Sequence, residues 1–196
     1  MEVKEAMLTR RSVRKYKSQA VSDEDLRDII DAALYAPSAT NVQPWYFLAL
    51  KSQEAMDRFR VILGKTVENF IPELQKRFPD NPQVVAETEN FLKNIGGAPV
   101  CILAFLLKHE DDDPNYKETF TKLQSVSAGI QNMLLAAWEK GLGSCWMTAI
   151  VNAGLGEDIR GEFAPDHGSL VAAIAIGYPD HAPKAPKRKE GRFKII

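Results

Sequence analysis

The sequence predicts a three-layer α-β-α arrangement. Two observations carry this. Apolar runs of strand length alternate with amphipathic helical patterns along the whole chain. Two of those runs, Pro99–Leu107 and Leu170–Gly177, are apolar at almost every position, the pattern of strands buried on both faces. Periodicity alone leaves open whether the sheet is parallel or mixed.

Residues 2–9 form a short helix candidate with Val3, Ala6 and Met7 on one side. Ser22 opens a stronger one: its hydroxyl can cap free N–H groups, and Asp23, Glu24 and Asp25 set negative charge at the positive end of the dipole. Leu26, Ile29, Ile30, Ala33 and Leu34 follow at helical spacing, and Pro37 stops the run. Trp45–Leu50 reads as a buried strand and 53–63 as a helix. The stretch 64–81, broken by Pro72, Pro79 and Asn81, is left unassigned. A helix over 84–95 closes at Gly96-Gly97, and His109–Asn115 is an acidic loop. The longest helix, 119–140, contains a slim stretch at Ser125, Ser127, Ala128 and Gly129 that permits close helix approach, and ends at Gly141. Residues 144–150 read as a strand, 157–163 as a short helix, and 178–196 as a Pro- and Lys-rich tail.

The 196 residues suit a single domain spanning 1–196, with no repeat or internal linker. Hydrophobic residues make up 45% and charged residues 26%, so a core of useful size can form. A net charge of −1 gives no global pull toward nucleic acid or a membrane surface; anion binding has to come from local clusters. Two cysteines, Cys101 and Cys145, make no disulfide framework, and the first residues contain no apolar leader segment, so a reducing cytoplasm is expected. No apolar run has the length to span a bilayer.

Two segments concentrate chemistry. Arg10-Arg11-Ser12-Val13-Arg14 gathers guanidinium groups, which bind phosphate through paired hydrogen bonds, and a hydroxyl; the same spacing also describes a solvated basic surface. Ala36–Trp45 packs Ser38, Thr40, Asn41 and Gln43 between Pro37 and Pro44; the amides can read a ring edge or a polyol, and the prolines lower the entropy cost of ordering the loop. An ordinary capped turn into a strand is the alternative. Other patterns carry less. Gly141-Leu142-Gly143 follows a helix and precedes a strand, the reverse of a dinucleotide loop. Gly143-Ser144-Cys145-Trp146 resembles part of the papain-type signature, but Cys145 lies late in the chain and reads as a buried structural thiol. His109, His167 and His181 have no metal-ligand spacing, and Asp111-Asp112-Asp113 lacks the glycine and terminal glutamate of a calcium loop, so no metal is expected. The basic run Pro183–Lys189 alone could serve nucleic acid, but the apolar Phe193, Ile195 and Ile196 that follow suggest docking onto protein.

In this order the segments resemble the nitroreductase family of flavin-dependent oxidoreductases. The likeness runs nearly end to end: Arg10–Arg14, Ala36–Phe47, Gly97-Ala98-Pro99-Val100, Gly141–Trp146 at the end of a long helix, and Ile176-Gly177-Tyr178-Pro179 before the basic tail. The resemblance implies an α+β sandwich with a central antiparallel or mixed sheet, an intertwined homodimer, and FMN at each subunit interface. It implies that Arg10, Arg11, Ser12 and Arg14 hold the phosphate, ribityl chain or pyrimidine edge, joined by Arg188 with help from Lys187 or Lys189. Pro37, Ser38, Asn41 and Gln43 would come from the partner subunit. Trp146, Met147, Thr148 and Ala149 would pass the flavin ring, although relatives often carry glycine or glutamate where Thr148 and Ala149 stand. The tail 178–196 would dock on the domain or the partner. The implied activity is hydride transfer from NAD(P)H through FMN to a nitroaromatic, quinone or similar acceptor by a ping-pong route. No side chain is needed as acid or base, and nucleic acid and membrane are not expected partners. Reductive dehalogenation, flavin cleavage and non-catalytic flavin binding are the alternatives.

Overall fold

The computed structural model describes residues 1–107, 117–181 and 183–196, with side chains omitted over 117–119; the expected acidic loop, including His109 and Asp111–Asp113, lies outside the described residues. Four strands, β1 (Trp45–Leu50), β2 (Val100–Leu106), β3 (Gly143–Met147) and β4 (Leu170–Gly177), form one sheet in the order β1-β2-β4-β3. Every pairing in it is antiparallel, which settles what periodicity left open. The fold is α+β.

Seven helices accompany the sheet among the described residues: α1 (Val3–Thr9), α2 (Asp23–Leu34), α3 (Gln53–Arg77), α4 (Pro82–Asn94), α5 (Lys117–Glu139), α6 (Ala149–Asn152) and α7 (Gly156–Phe163). The pleat sorts the strands' side chains into two cores. Cys101, Leu103 and Phe105 of β2 face α3, α4 and α7, together with Phe59, Leu63, Leu92 and Ile159. Val100, Ile102 and Ala104 face α2 and α5, together with Ile29, Ile130 and Met133. Between Ala104 and Phe105 the register slips, so that Phe105 pairs with Leu170 and Val171 is the extra residue. The slim stretch of α5 does what its composition suggests: a Cβ on Gly129 would come within 3.1 Å of the Ala33 carbonyl oxygen.

Ser22 caps α2 as expected, its Oγ accepting from the Asp25 N–H at 3.0 Å. Two boundaries differ from expectation. The helix assigned to 53–63 runs on to Arg77 through the unassigned stretch. Pro72 removes one helical N–H donor, but Ile71 and Leu74 bury against Val85, so packing with α4 outweighs the lost bond. The strand expected over 144–150 stops at Met147, paired with Ala173; on the Leu170 side of Ala173, β4 is paired with β2 alone. Thr148 then opens α6, which buries Ile150 and ends at Gly154 with φ 77°.

Candidate functional site

The basic segment leaves α1 at Arg10, whose φ −55° and ψ 136° start an extended arm. The arm lies along the free edge of β3. Ser12 bridges Ser144, and the Val13 N–H donates to the Ser144 carbonyl at 2.9 Å. Farther on, the Tyr16 N–H donates to Gly96, Lys17 to Tyr178, and Asp180 back to Lys15, all at 2.9–3.0 Å. Val13 and Tyr16 are buried and act as pegs; the Tyr16 hydroxyl donates to the Val13 carbonyl at 2.7 Å. Gly143 makes room for this arm: a Cβ there would stand 2.6 Å from a Val13 methyl.

With Val13 turned inward, its neighbours carry the polar groups. Arg10, Arg11 and Ser12 are half-buried and Arg14 is exposed. Burial pushes the Arg10 guanidinium below its ordinary pKa, and repulsion from Arg11 and then Arg188 adds to the shift. Arg188 of the tail therefore stands in the same cluster. Cys145 sits beneath it; burial pushes its thiol up, opposed by Arg14 and Arg10. Among the described residues, none of Arg10, Arg11, Arg14, Lys187 and Arg188 makes an ion pair with a carboxylate. Arg10 is thus a partly desolvated cation, repelled by Arg11 and Arg188 and without a carboxylate partner among the described residues, an arrangement suited to an anion.

Trp146, Met147, Thr148 and Ala149 continue along the same edge. Trp146 is half-buried on the α5 side, Met147 is buried on the opposite face, and Thr148 is exposed where the strand gives way to α6. Lys187 is exposed in the tail.

The polar loop is elsewhere. Thr40, Asn41 and Gln43 all have φ near +50° to +58°, uncommon for residues with side chains and tolerable here because the loop bonds to itself. The Gln43 N–H donates to Ser38 Oγ at 3.1 Å, Gln43 Nε2 donates to Asn41 Oδ1 at 3.2 Å, and the Ala39 N–H reaches Ser125 Oγ of α5 at 3.3 Å. Pro37 and Asn41 are exposed and Ser38 is half-buried. This loop feeds β1 at Trp45, opposite Leu106; the arm meets β3 at Ser144, level with Ile176 and Val100. The two groups thus occupy diagonally opposite corners, three strand spacings (about 14 Å) across and about 20 Å along the strands. One chain brings Arg10, Arg11, Ser12, Arg14 and Arg188 together with the β3 end. It does not bring them to Pro37, Ser38, Asn41 and Gln43.

Sequence reasoning missed the parts that hold the arm: Val13 and Tyr16 as pegs, Gly143 as clearance, and Gly96, whose φ of +67° places its carbonyl to receive Tyr16. Val13 and Tyr16, set among polar and charged residues from Ser12 to Lys17, were the only local hint of the pegs. Among the described residues no cluster of His, Cys, Asp and Glu could hold a metal ion, and no helix is long and apolar enough to cross a membrane.

A family model described as the Nitroreductase family matches residues 7–178. The chain belongs to this family. Among nitroreductase relatives, a Bacillus subtilis protein provisionally named NAD(P)H nitroreductase YfhC is 28% identical over 95% of this chain and 89% of its own. An iodotyrosine deiodinase of Thermotoga neapolitana is also 28% identical, over 95% and 91%. A nitroreductase of Desulfovibrio desulfuricans solved in complex with FMN superposes with a TM-score of 0.70 at 29% identity, covering 97% of this chain and 93% of the other. The family match ends at Tyr178, so Lys187 and Arg188 lie beyond it.

Proposed function

We propose that two copies of this chain bind FMN at each of two shared sites and use it to pass electrons from NAD(P)H to a small acceptor. The observation that carries this reading is the cation group formed by Arg10, Arg11 and Arg14 of the arm with Arg188 of the tail, none of them paired with a carboxylate among the described residues. A phosphomonoester brings roughly −1.5 to −2 charges near neutral pH, so the donor set fits its chemistry. Ser12 adds a hydroxyl, and Lys187 extends the cation group from the tail. The polar loop cannot reach the arm within one chain, so Pro37, Ser38, Asn41 and Gln43 of a second copy form the other wall. Trp146, Met147, Thr148 and Ala149 flank the ring between them.

When bound, FMN supplies hydride chemistry at N5, taking hydride from NAD(P)H and delivering it to a nitroaromatic, quinone or similar acceptor. The chain's own residues bind and orient. Backbone bonds to β3, Gly96 and Tyr178 fix the arm from Ser12 onward, so Ser12 and Arg14 are held before the ligand arrives, which lowers the ordering cost. Donor and acceptor would use one open face in turn, giving ping-pong kinetics. The exposed Phe193, Ile195 and Ile196 suit a tail, 178–196, that docks on the domain or the partner subunit. Buried, unpaired Cys101 and Cys145 suit a reducing cytoplasm.

A yellow purified protein that bleaches without oxygen on addition of NADH or NADPH, and recovers on addition of a nitroaromatic or quinone, is the expected result. Colourless protein that cannot be loaded with FMN would sink the proposal. Likeness to the deiodinase favours reductive dehalogenation as the second reading. Halide release from a halogenated phenol, without reduction of the nitroaromatic, would choose it.

A further inference from the structure

The downstream half of the arm is locked by backbone hydrogen bonds, but its first residues are not. Arg10 and Arg11 hang from the end of α1, a seven-residue helix with one buried side chain, Ala6. Apolar packing therefore holds this helix weakly, and Val3, Met7 and Leu8 are exposed. One directed side-chain bond ties its last turn to the body. Trp138 of α5 donates its indole N–H to Thr9 Oγ1 at 2.9 Å. The same hydroxyl donates to the Glu5 carbonyl at 2.7 Å, so its proton is already directed and a lone pair faces the indole. The residue after this junction is Arg10, whose N–H closes the helix on the Ala6 carbonyl at 2.9 Å; Arg11 in turn donates to the Arg10 carbonyl at 2.6 Å. Trp138 itself is seated, its ring packed against the core that includes Val13 and Cys145.

We propose that Trp138 and Thr9 are positioning residues that fix where Arg10 and Arg11 present their guanidinium groups to the bound phosphate. The pair touches neither ligand nor acceptor. It converts the rigid end of α5 into a reference point for the first, loosely packed half of the arm, as Ser144, Gly96 and Tyr178 do for the second. This rests on FMN binding as proposed above.

The test uses the full chain stripped of flavin. Trp138→Phe keeps the ring and removes the donor; Thr9→Val removes the hydroxyl and keeps the shape; Thr9→Ser restores the hydroxyl. FMN titration followed by flavin fluorescence is expected to show Trp138→Phe and Thr9→Val each weakened about two- to tenfold, the scale of one hydrogen bond. The double variant should be no weaker than either single one, and Thr9→Ser should bind as the parent does. Amide exchange in the flavin-free chain should quicken at Arg10, whose N–H is bonded to Ala6, while the arm beyond Val13 stays protected. Melting temperature should fall by no more than the few degrees one hydrogen bond contributes, equally in both single variants, and kcat at saturating FMN should stay unchanged. Parent-like affinity in Trp138→Phe, additive losses in the double variant, or losses that track melting temperature would each overturn the positioning role. A parent chain that takes up no FMN overturns the proposed function instead; unchanged amide exchange in Trp138→Phe would then overturn the tether as well.

Discussion

Replacing Arg14 and Asn41 separately, then mixing the two variants, tests whether one site needs two chains. Arg14 is exposed beside the arm's cation group, and Asn41 lies on the loop at the opposite corner of the sheet. Loss of a charge-assisted contact to phosphate costs about 1.5–3 kcal/mol, so Arg14→Ala should weaken FMN about 10- to 150-fold. Asn41→Ala loses neutral hydrogen bonds of about 0.5–1.5 kcal/mol each and should weaken FMN about 2- to 13-fold. Neither side chain is buried, so neither variant should unfold. Each pure variant has the same defect in both of its sites. In a mixed dimer one site collects both substitutions and the other collects neither. Free exchange at equal concentration makes about half the dimers mixed, so about one quarter of all sites should regain parental affinity. The assay is FMN titration at concentrations where each variant alone stays empty, with native mass spectrometry confirming mixed dimers. A mixture that demonstrably contains mixed dimers yet recovers no tight sites refutes the shared-site geometry. Full binding by either variant alone refutes the role of that residue.

Gly143→Ala should cost about 1–3 kcal/mol, because its Cβ would stand 2.6 Å from a Val13 methyl, and should weaken FMN as well by displacing the arm; denaturant melts and flavin titration check the two effects. Phe59→Ala, fully buried between α3 and the sheet, should cost about 3–5 kcal/mol without altering the FMN affinity of the folded fraction. Lys140 pairs with Asp28 at 2.6 Å and Asp25 at 3.1 Å, joining α5 to α2. Hydrogen bonds from Ser22 and Lys140 hold Asp25 below its ordinary 3.8, so its contribution is present above 3.8 and lost as pH falls through the lower folded value. The same carboxylates hold Lys140 above its ordinary 10.5, so its contribution is present below 10.5 and lost at higher pH. The melting-temperature gap between the parent and Lys140→Met should therefore narrow at both extremes and be widest between them.

Helix and strand identity was legible wherever one pattern ran without interruption. Ser22 with its acidic turn, the apolar run at Val100 and the slim stretch around Gly129 each announced a local structure that formed. The misreadings fall where tertiary packing overrules a local signal. Pro72, Pro79 and Asn81 left 64–81 unassigned, but Ile71 and Leu74 gain more by packing on α4 than the helix loses at one missing N–H. Thr148 to Ile150 looked like strand, but pairing with β4 ends at Met147, and a short helix satisfies the backbone instead.

The candidate site divides along the same line. Arg10, Arg11, Ser12 and Arg14 were visible as a group because they are neighbours in sequence. Arg188 joins them only through the fold, and the resemblance alone suggested it. Spacing could not distinguish a solvated basic strip from an anion site. The difference lies in features with no sequence signature: half-burial that desolvates Arg10, absence of carboxylate partners among the described residues, and backbone bonds from segments 80–165 residues away. A solvated strip would let its arginines move apart and screen one another in water. Arg10 and Arg11 adjoin in sequence, half-buried where α1 meets an arm pinned to β3, Gly96 and Tyr178, so they cannot move far apart and their repulsion remains in the empty protein. An arriving phosphate relieves that repulsion as well as adding its own hydrogen bonds. FMN affinity should therefore fall with ionic strength, and removing Arg11 should weaken binding by less than removing Arg14, because its loss also lifts a charge from Arg10. Equal losses for the two variants across a salt series would show that the arm carries no stored repulsion.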